Sequence, residues 1–304
     1  LRTERRVQTD GTLLDEIDRV HDDAPDRAAE LLREFDATGL PAQRLGQLAF
    51  LFNHVLGEKL GQWNEAAERI AALTTRTEAP PGVWRQLFAA QTLRGDALGA
   101  AAARIGLART TGARDTDANT AGELTVLAYV PDPLAHAGDV LALAKAANID
   151  QETPLDAALA ASFNNVTGRL LEASRNVTLG TTETQALQAG AEAARRFWYR
   201  AGQWLQHERA DYLCAKVEVR IGATAEAVRA AERGLRLVEA NGNDAIERAF
   251  LLLPLAAACA ALGDDTRAAS LRAEAEALAA QFDEDLRKAF ELDKVELGGA
   301  GSGR

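Results

Sequence analysis

Methionine is absent from all 304 residues, the first position included, which points to a trimmed or engineered chain. Cysteine is nearly absent as well. Cys214 and Cys259 both sit inside helical patterns and neither belongs to a CxxC pair, which argues against a disulfide framework and reads as two small buried apolar residues of a reducing compartment. Histidine and serine are almost as scarce, at four each. There is no Gly-x-Ser-x-Gly turn to present a nucleophile, and no His-x-x-x-His or Glu-x-x-His pair to set two ligands on one helical face. His21, His54, His136 and His207 stand far apart in the chain. His21-Asp22-Asp23 comes nearest to a ligand set and reads as a solvated helix end. No metal, no cofactor and no catalytic residue is therefore expected. The glycines at 298–303 have no strand before them and no helix after them, so they make no phosphate cradle.

Long apolar runs are missing too. None reaches the ~18 residues that a bilayer span requires, and LRTERRVQTD at the amino end has no hydrophobic segment behind it to form a signal peptide. The expectation is a cytoplasmic protein with no membrane partner. Positive charge is in deficit: 34 Lys and Arg face 45 Asp and Glu, for a net charge of −11. Such a balance argues against a nucleic-acid partner, because phosphate neutralisation requires a basic surface. Arg94-Gly95-Asp96 spells an adhesion tripeptide but falls where a turn between helices is expected. The sequons at Asn165 and Asn176 carry no meaning in a cytosolic chain.

Aromatic residues make up 5% of the chain, while 47% is hydrophobic and alanine and leucine dominate, a composition suited to close-packed helices. The stretch from Glu208 to Asn241 shows how they are organised. Tyr212, Leu213, Val217 and Ile221 recur at helical spacing, Gly222 breaks the pattern, and Ala227, Val228, Ala231, Leu235 and Val238 begin a second helix that Asn241-Gly242 ends. A hairpin of this kind exposes an apolar stripe on both helices and must stack against others. Upstream, a helix from Pro41 over PAQRLGQLAFLFNHVLGEKL turns at Gly61 into WNEAAERIAAL. The next pair, PGVWRQLFAAQTLR and DALGAAAARIGL, turns at Gly95.

Gly61 and Gly95 are 34 residues apart, as are Ala66 and Ala100, and Leu73 and Leu107. This period, with Gly61-Gln62-Trp63-Asn64-Glu65-Ala66 at the first turn, resembles the tetratricopeptide repeat family, whose unit is an antiparallel helix pair of that length. Small residues recur at Ala215, Ala227 and Gly234 and at Ala256, Ala268 and Ala275, where helices of that family touch most closely, whereas His54 and Phe88 fill the corresponding places of the first two repeats. The resemblance implies an all-α fold, a right-handed superhelix or α-solenoid of about six antiparallel helix pairs. The expected order is a loose arm over 1–10, then one domain over 11–297. Within it a capping pair covers 11–39, repeats cover 41–110, and irregular pairs cover 115–203, with helices over 116–129 and 133–147 and over 154–174 and 182–203. Further repeats cover 204–282 and a polar helix over 283–297 closes the open end. A flexible tail follows over 298–304. Thr182 and Gln185 fit a capping box at the start of one helix.

In that family the first helix of each pair lines a concave groove, and mapping this onto the Glu208 unit selects Arg209, Tyr212, Lys216 and Arg220. Their spacings of three, four and four put them on one stripe. Three cations beside an aromatic ring suit a carboxylate and resemble the carboxylate clamp of some members of the family. Asn164 and Asn165 are poor helix formers, and one of them is expected to face the groove. The function implied is a non-enzymatic scaffold that binds a protein or peptide, favouring an acidic or carboxylate-bearing segment. The alternative is a small-molecule sensor or enzyme. RRFWYRAGQWLQHERADY concentrates five of the sixteen aromatic residues, so Trp198, Tyr199, Trp204 and His207, with His54, form the alternative pocket. Asn53 reads as exposed or groove-facing. Phe250, Leu253, Ala257 and Ala261 offer an apolar surface for a homodimer and leave the oligomeric state open.

Overall fold

The computed structural model describes residues 12–76, 79–147 and 149–299, and the expected arm over 1–10 and the tail from 300 onward lie outside that range. The described residues form fifteen α-helices and no strand, and the helices pack mainly on their neighbours in sequence. None of them is long and apolar enough to cross a membrane. Contacts gather into two compact units, Leu1–Pro131 with Thr153–Ala158 and Asp132–Glu152 with Leu159–Arg304.

In the first unit, α1 (12–20) buries Leu14 and Ile17, and α2 (Pro25–Glu34) begins with its proline in the first turn, as a missing N–H there costs nothing. A short 3-10 turn (Ala37–Gly39) leads to α3 (Ala42–Leu51). The continuous α-helix expected from Pro41 changes at Phe52, where α3 runs on as a π-helix (Phe52–Lys59). Next come α4 (Trp63–Leu73), α5 (Pro81–Leu93), α6 (Ala97–Thr111) and α7 (Asp115–Leu127), with α5 packed on α3, α4, α6 and α7. The Arg94-Gly95-Asp96 turn is structural: Asp96 caps α6 by accepting from the Gly99 N–H and is held by Arg94 at 2.7 Å. Asn53 is fully buried rather than exposed, and donates to Gln86, whose side chain also accepts from the Tyr129 hydroxyl. Interior packing took that residue because a buried amide partner was waiting for it.

The second unit holds a 3-10 turn (Leu134–His136), α8 (Ala137–Ala146), most of α9 (Asp156–Ala173), α10 (Thr181–Ala201), α11 (Trp204–Ile221), α12 (Thr224–Ala240), α13 (Ala245–Ala261), α14 (Asp265–Ala279) and α15 (Glu284–Gly299). The α11–α12 and α13–α14 hairpins are those expected, and α12 packs on α13 to join them. The pair expected over 116–147 is divided: α7 packs on α5 and α6, and α8 on α10. The capping box expected at Thr182 and Gln185 does not form. Gly180 is the N-cap of α10 without a side-chain bond, and the reciprocal box appears instead at Gln203 and Gln206 of α11. Cys214 and Cys259 are free and buried. Gly298 and Gly299, expected in the tail, finish α15.

The turn glycines Gly61, Gly95, Gly222 and Gly263 all have φ between +69° and +85°. At Gly222, for example, any side chain would strain the left-handed backbone. The close approach of helices also depends on glycine. A Cβ built on Gly57 would lie 2.3 Å from the Trp63 ring, one on Gly106 2.2 Å from Trp84, and one on Gly234 2.7 Å from Leu251. Phe88, at a position where the sequence resemblance led to the expectation of a small residue, is accommodated because Gly122 of α7 faces it. The small residues Ala215, Ala227, Ala256, Ala268 and Ala275 are all buried.

Gly106→Ala therefore carries two opposed effects. Helix propensity favours alanine by about 1 kcal/mol, and overpacking against Trp84 costs about 1–3 kcal/mol, so a net loss of about 1 kcal/mol is expected in urea unfolding. Trp84→Leu combined with Gly106→Ala should recover part of it. A Gly106→Ala protein more stable than the parent would show that the indole is free to move aside.

Candidate functional site

Within the second unit, α9, α11, α13 and α15 surround a cavity of about 490 Å³. Helical spacing on α11 brings Arg209, Tyr212 and Lys216 to one wall, as the sequence predicts, and Asn164 of α9 joins them. Phe250 of α13 and Leu286 of α15 supply apolar lining. The remaining expected residues lie elsewhere. Asn165 is exposed and takes no part in the lining. Arg220 donates from Nη2 to the carbonyls of Ser174 and Val177, at 2.5 and 2.6 Å, and so closes the carboxyl end of α9 rather than facing a ligand. Carbonyls at a helix end lack partners inside the helix, and a guanidinium one helix away satisfies them.

The aromatic group proposed as an alternative pocket is packing at the α10–α11 junction. Tyr199 stacks on His207 with ring centroids 4.5 Å apart, and its hydroxyl donates to the buried Asp211 at 2.6 Å. Arg233 holds the same carboxylate at 2.9 Å. Burial and this acceptor push the Tyr199 hydroxyl up from its ordinary value. Trp198, Tyr199, Trp204 and His207 are not among the residues lining the cavity, and His54 belongs to the first unit.

The cations of the α11 wall already have partners, and most come from a helix that sequence reasoning assigned to the end of the stack. Lys216 Nζ lies 2.8 Å from Asp293 and 3.4 Å from Glu296, both on α15, and the Tyr212 hydroxyl also donates to Asp293. Arg175 at the end of α9 pairs with Glu296 at 3.2 Å. Arg209 pairs with Glu247 of α13 at 2.7 Å. Far from being a polar cover, α15 buries Phe290 and Leu297 against α13, where Phe290 meets Phe250 edge to face at 5.8 Å. Phe250 and Leu253, expected on a dimer surface, belong to this cluster. A signal for the arrangement existed. Leu286, Phe290, Asp293 and Leu297 are spaced four, three and four apart, so one face of α15 is apolar except for a single acid.

Burial opposes both charges of the central pair, pushing the Asp293 carboxyl up to about 7, with Glu296 adding to the effect, and the Lys216 ammonium down. Beside them Glu208 is buried and its carboxyl is pushed up to about 9, first by burial and then by the adjoining Glu247. Glu247 pairs in turn with Arg209 at 2.7 Å. Burial beside another acid disfavours the charged form of a carboxyl.

The folded pKa of Glu208 lies above its ordinary value of 4.5, so its folded form binds the extra proton and stability falls as pH rises from about 4.5 to about 9. Glu208→Gln keeps the neutral shape and removes that slope. Thermal unfolding should give parent and variant similar midpoints at pH 5 and a higher midpoint for the variant at pH 8.5; identical slopes would mean that Glu208 is ionised in the fold. No protein-family model matches the chain, and no curated protein matches it.

Proposed function

We propose that the second unit is a non-enzymatic binding module in which the α9, α11 and α13 wall receives an amphipathic helical segment of a protein partner, oriented by an acidic residue on the Lys216 and Tyr212 stripe. In this reading the α11–α12 and α13–α14 hairpins are tetratricopeptide-like repeats and the wall is the inner face of their first helices. The observation that carries it is the way α15 lies on that wall. Two large apolar residues, Phe290 and Leu297, enter the apolar cluster while Asp293 between them reaches Lys216 and Tyr212. A helix with anchors at i, i+3 and i+7 is a recurrent ligand for a groove of this kind.

The wall suits such a ligand for a physical reason. Apolar area from Phe250 and Leu213 supplies affinity without orientation, and the buried cation adds orientation because any helix that fails to bring an anion leaves it unpaired. In this reading α15 stands in the place of the partner's helix. Held in the same chain, it competes at an effective concentration of about millimolar, so a partner must carry a better match or meet the wall when α15 is displaced. The cavity volume, about 490 Å³, also falls in the range of small-molecule sites. A metabolite that stabilises the protein while no helical peptide binds would favour that second reading.

The test uses a synthetic peptide of residues 284–299 added to the full-length protein. The parent should bind it weakly. Asp293→Ala with Glu296→Ala, which loosens the resident helix, should bind it at least tenfold more tightly, and Lys216→Glu added to that variant should abolish the gain while circular dichroism stays unchanged. Equal binding with and without Lys216→Glu would overturn the proposal.

A further inference from the structure

The first unit brings together residues that no sequence motif links. His21 and Asp22 lie in the turn that ends α1, and His54 lies on the π-helix that continues α3. The two imidazole rings face each other edge to face, with centroids 5.0 Å apart. His54 Nε2 is 3.2 Å from Asp22 Oδ1, and His21 Nε2 is 3.4 Å from Asp22 Oδ2. One donor atom from each of the three residues falls within 4.8 Å of the others.

The other nitrogen of each ring is already engaged. His54 Nδ1 lies 2.7 Å from Glu58 Oε2, and His21 Nδ1 is bonded to the Asp18 carbonyl. A carbonyl or carboxylate can only accept, so both Nδ1 atoms carry hydrogen and donate. In a neutral imidazole this leaves Nε2 as a lone pair. Two lone pairs and a carboxylate then point at a common space. Such an arrangement calls for positive charge among them: a proton on each ring, the Lys59 ammonium beside Asp22, or one metal ion shared by all three. Carboxylate and carbonyl partners on the far nitrogen are also what metal-bound histidines have, because they fix the tautomer and strengthen the ligand.

We propose that His21 Nε2, His54 Nε2 and the Asp22 carboxylate form a binding site for a divalent transition-metal ion, zinc in the first instance, with Glu58 and the Asp18 carbonyl orienting the two rings. Two imidazoles and one carboxylate are the ligand set of a borderline ion; calcium and magnesium would call for oxygen alone. A tetrahedral ion with ligands at about 2.0–2.1 Å holds neighbouring donors about 3.3 Å apart. The two His–Asp distances, 3.2 and 3.4 Å, are close to that spacing, each to a different oxygen of Asp22. One donor atom from each residue lies within 4.8 Å of the others, so small side-chain shifts close the set around an ion. Asp22 is exposed, so the fourth position faces solvent and takes water or a donor from a partner. His54 is also backed by Phe50, stacked at 5.4 Å, which restricts the ring's rotation. The π-helix adds an independent sign, since such segments are rare and recur at functional positions.

One side chain competes with the ion. Lys59 Nζ lies 3.0 Å from Asp22 Oδ1 and occupies part of the space that a metal would claim. Its long, half-exposed stem lets it swing away, so it weakens metal binding without blocking it. The centre belongs to the first unit, and nothing in it depends on what the α11 wall binds.

The experiment is zinc titration of the chelator-stripped full-length protein by calorimetry, with cobalt as a paramagnetic probe of the four histidines by NMR. One zinc per chain is expected, with His21 and His54 the two histidines broadened by cobalt. His21→Ala and His54→Ala should each weaken zinc at least tenfold, and Glu58→Gln about tenfold. Lys59→Met should tighten it threefold or more, a gain that a misfolded variant cannot produce. Zinc bound equally well by the His21→Ala, His54→Ala double variant, or no zinc bound by the folded parent up to about 1 mM, overturns the proposal. Unchanged affinity in Lys59→Met would do so as well, because it would place the ion away from Asp22.

Discussion

The closeness of helix pairs in this protein is set by bare backbone meeting large side chains. Trp63 rests on Gly57, Trp84 on Gly106, Phe88 on Gly122 and Leu251 on Gly234, each closer than a Cβ would permit. Two helices with ordinary residues at every contact would stand farther apart, and the stripes between them would be left with voids that cost contact on both sides. Where glycine is not used, alanine is: Ala215, Ala227, Ala256, Ala268 and Ala275 fill the inner faces of the last two hairpins. Few aromatic residues are needed in such an interior, because small residues on one helix let one large ring on the next fill the gap.

That spacing is what turns a periodic pattern on α11 into one wall of a cavity. Arg209, Tyr212 and Lys216 emerge on one side of α11 because the opposite side, with Ala210, Cys214 and Val217, is drawn against its neighbours. The wall is then neither open solvent nor dry core. Burial weakens Lys216 as an acceptor of protons and raises the Asp293 carboxyl, and the two groups meet at 2.8 Å. Along the wall Arg209 pairs with Glu247, and Lys216 with Asp293 and Glu296.

The parts of this arrangement visible in the sequence are those fixed by backbone geometry or by near neighbours. Gly61, Gly95, Gly222 and Gly263 mark their turns because few other residues tolerate that conformation, and the stripe on α11 follows from helical spacing alone. What depends on distant partners was hidden. Arg220 has the right spacing for the wall yet serves carbonyls of the segment that follows α9, a choice that only the proximity of Ser174 and Val177 decides. Asn53 is drawn inward by Gln86, which lies 33 residues away. His21 and His54 are separated by a similar length of chain, so no spacing rule joins them. The π-helix left no sign either: Phe52, Val55 and Leu56 are as apolar as a buried α-helix requires.

The single acid in the apolar seam of α15 shows why a costly group is kept. Replacing Asp293 and Lys216 by apolar residues of similar volume would leave a continuous hydrophobic contact, and a buried ion pair adds little stability over such a contact. A continuous apolar seam, however, specifies no register. Leu286, Phe290 and Leu297 could slide by one turn, about 5.4 Å, and still find apolar neighbours on α13. Asp293 opposes this, because it meets both Lys216 and the Tyr212 hydroxyl, and a slide of that size either loses the contact or exchanges it for Glu296, which now lies 3.4 Å from Lys216. The pair therefore selects one alignment among several of comparable apolar area. On the proposed binding reading, the same selection would act on any other helix that takes the place of α15, because Leu213 and Phe250 lie on this wall among Arg209, Lys216 and Glu247.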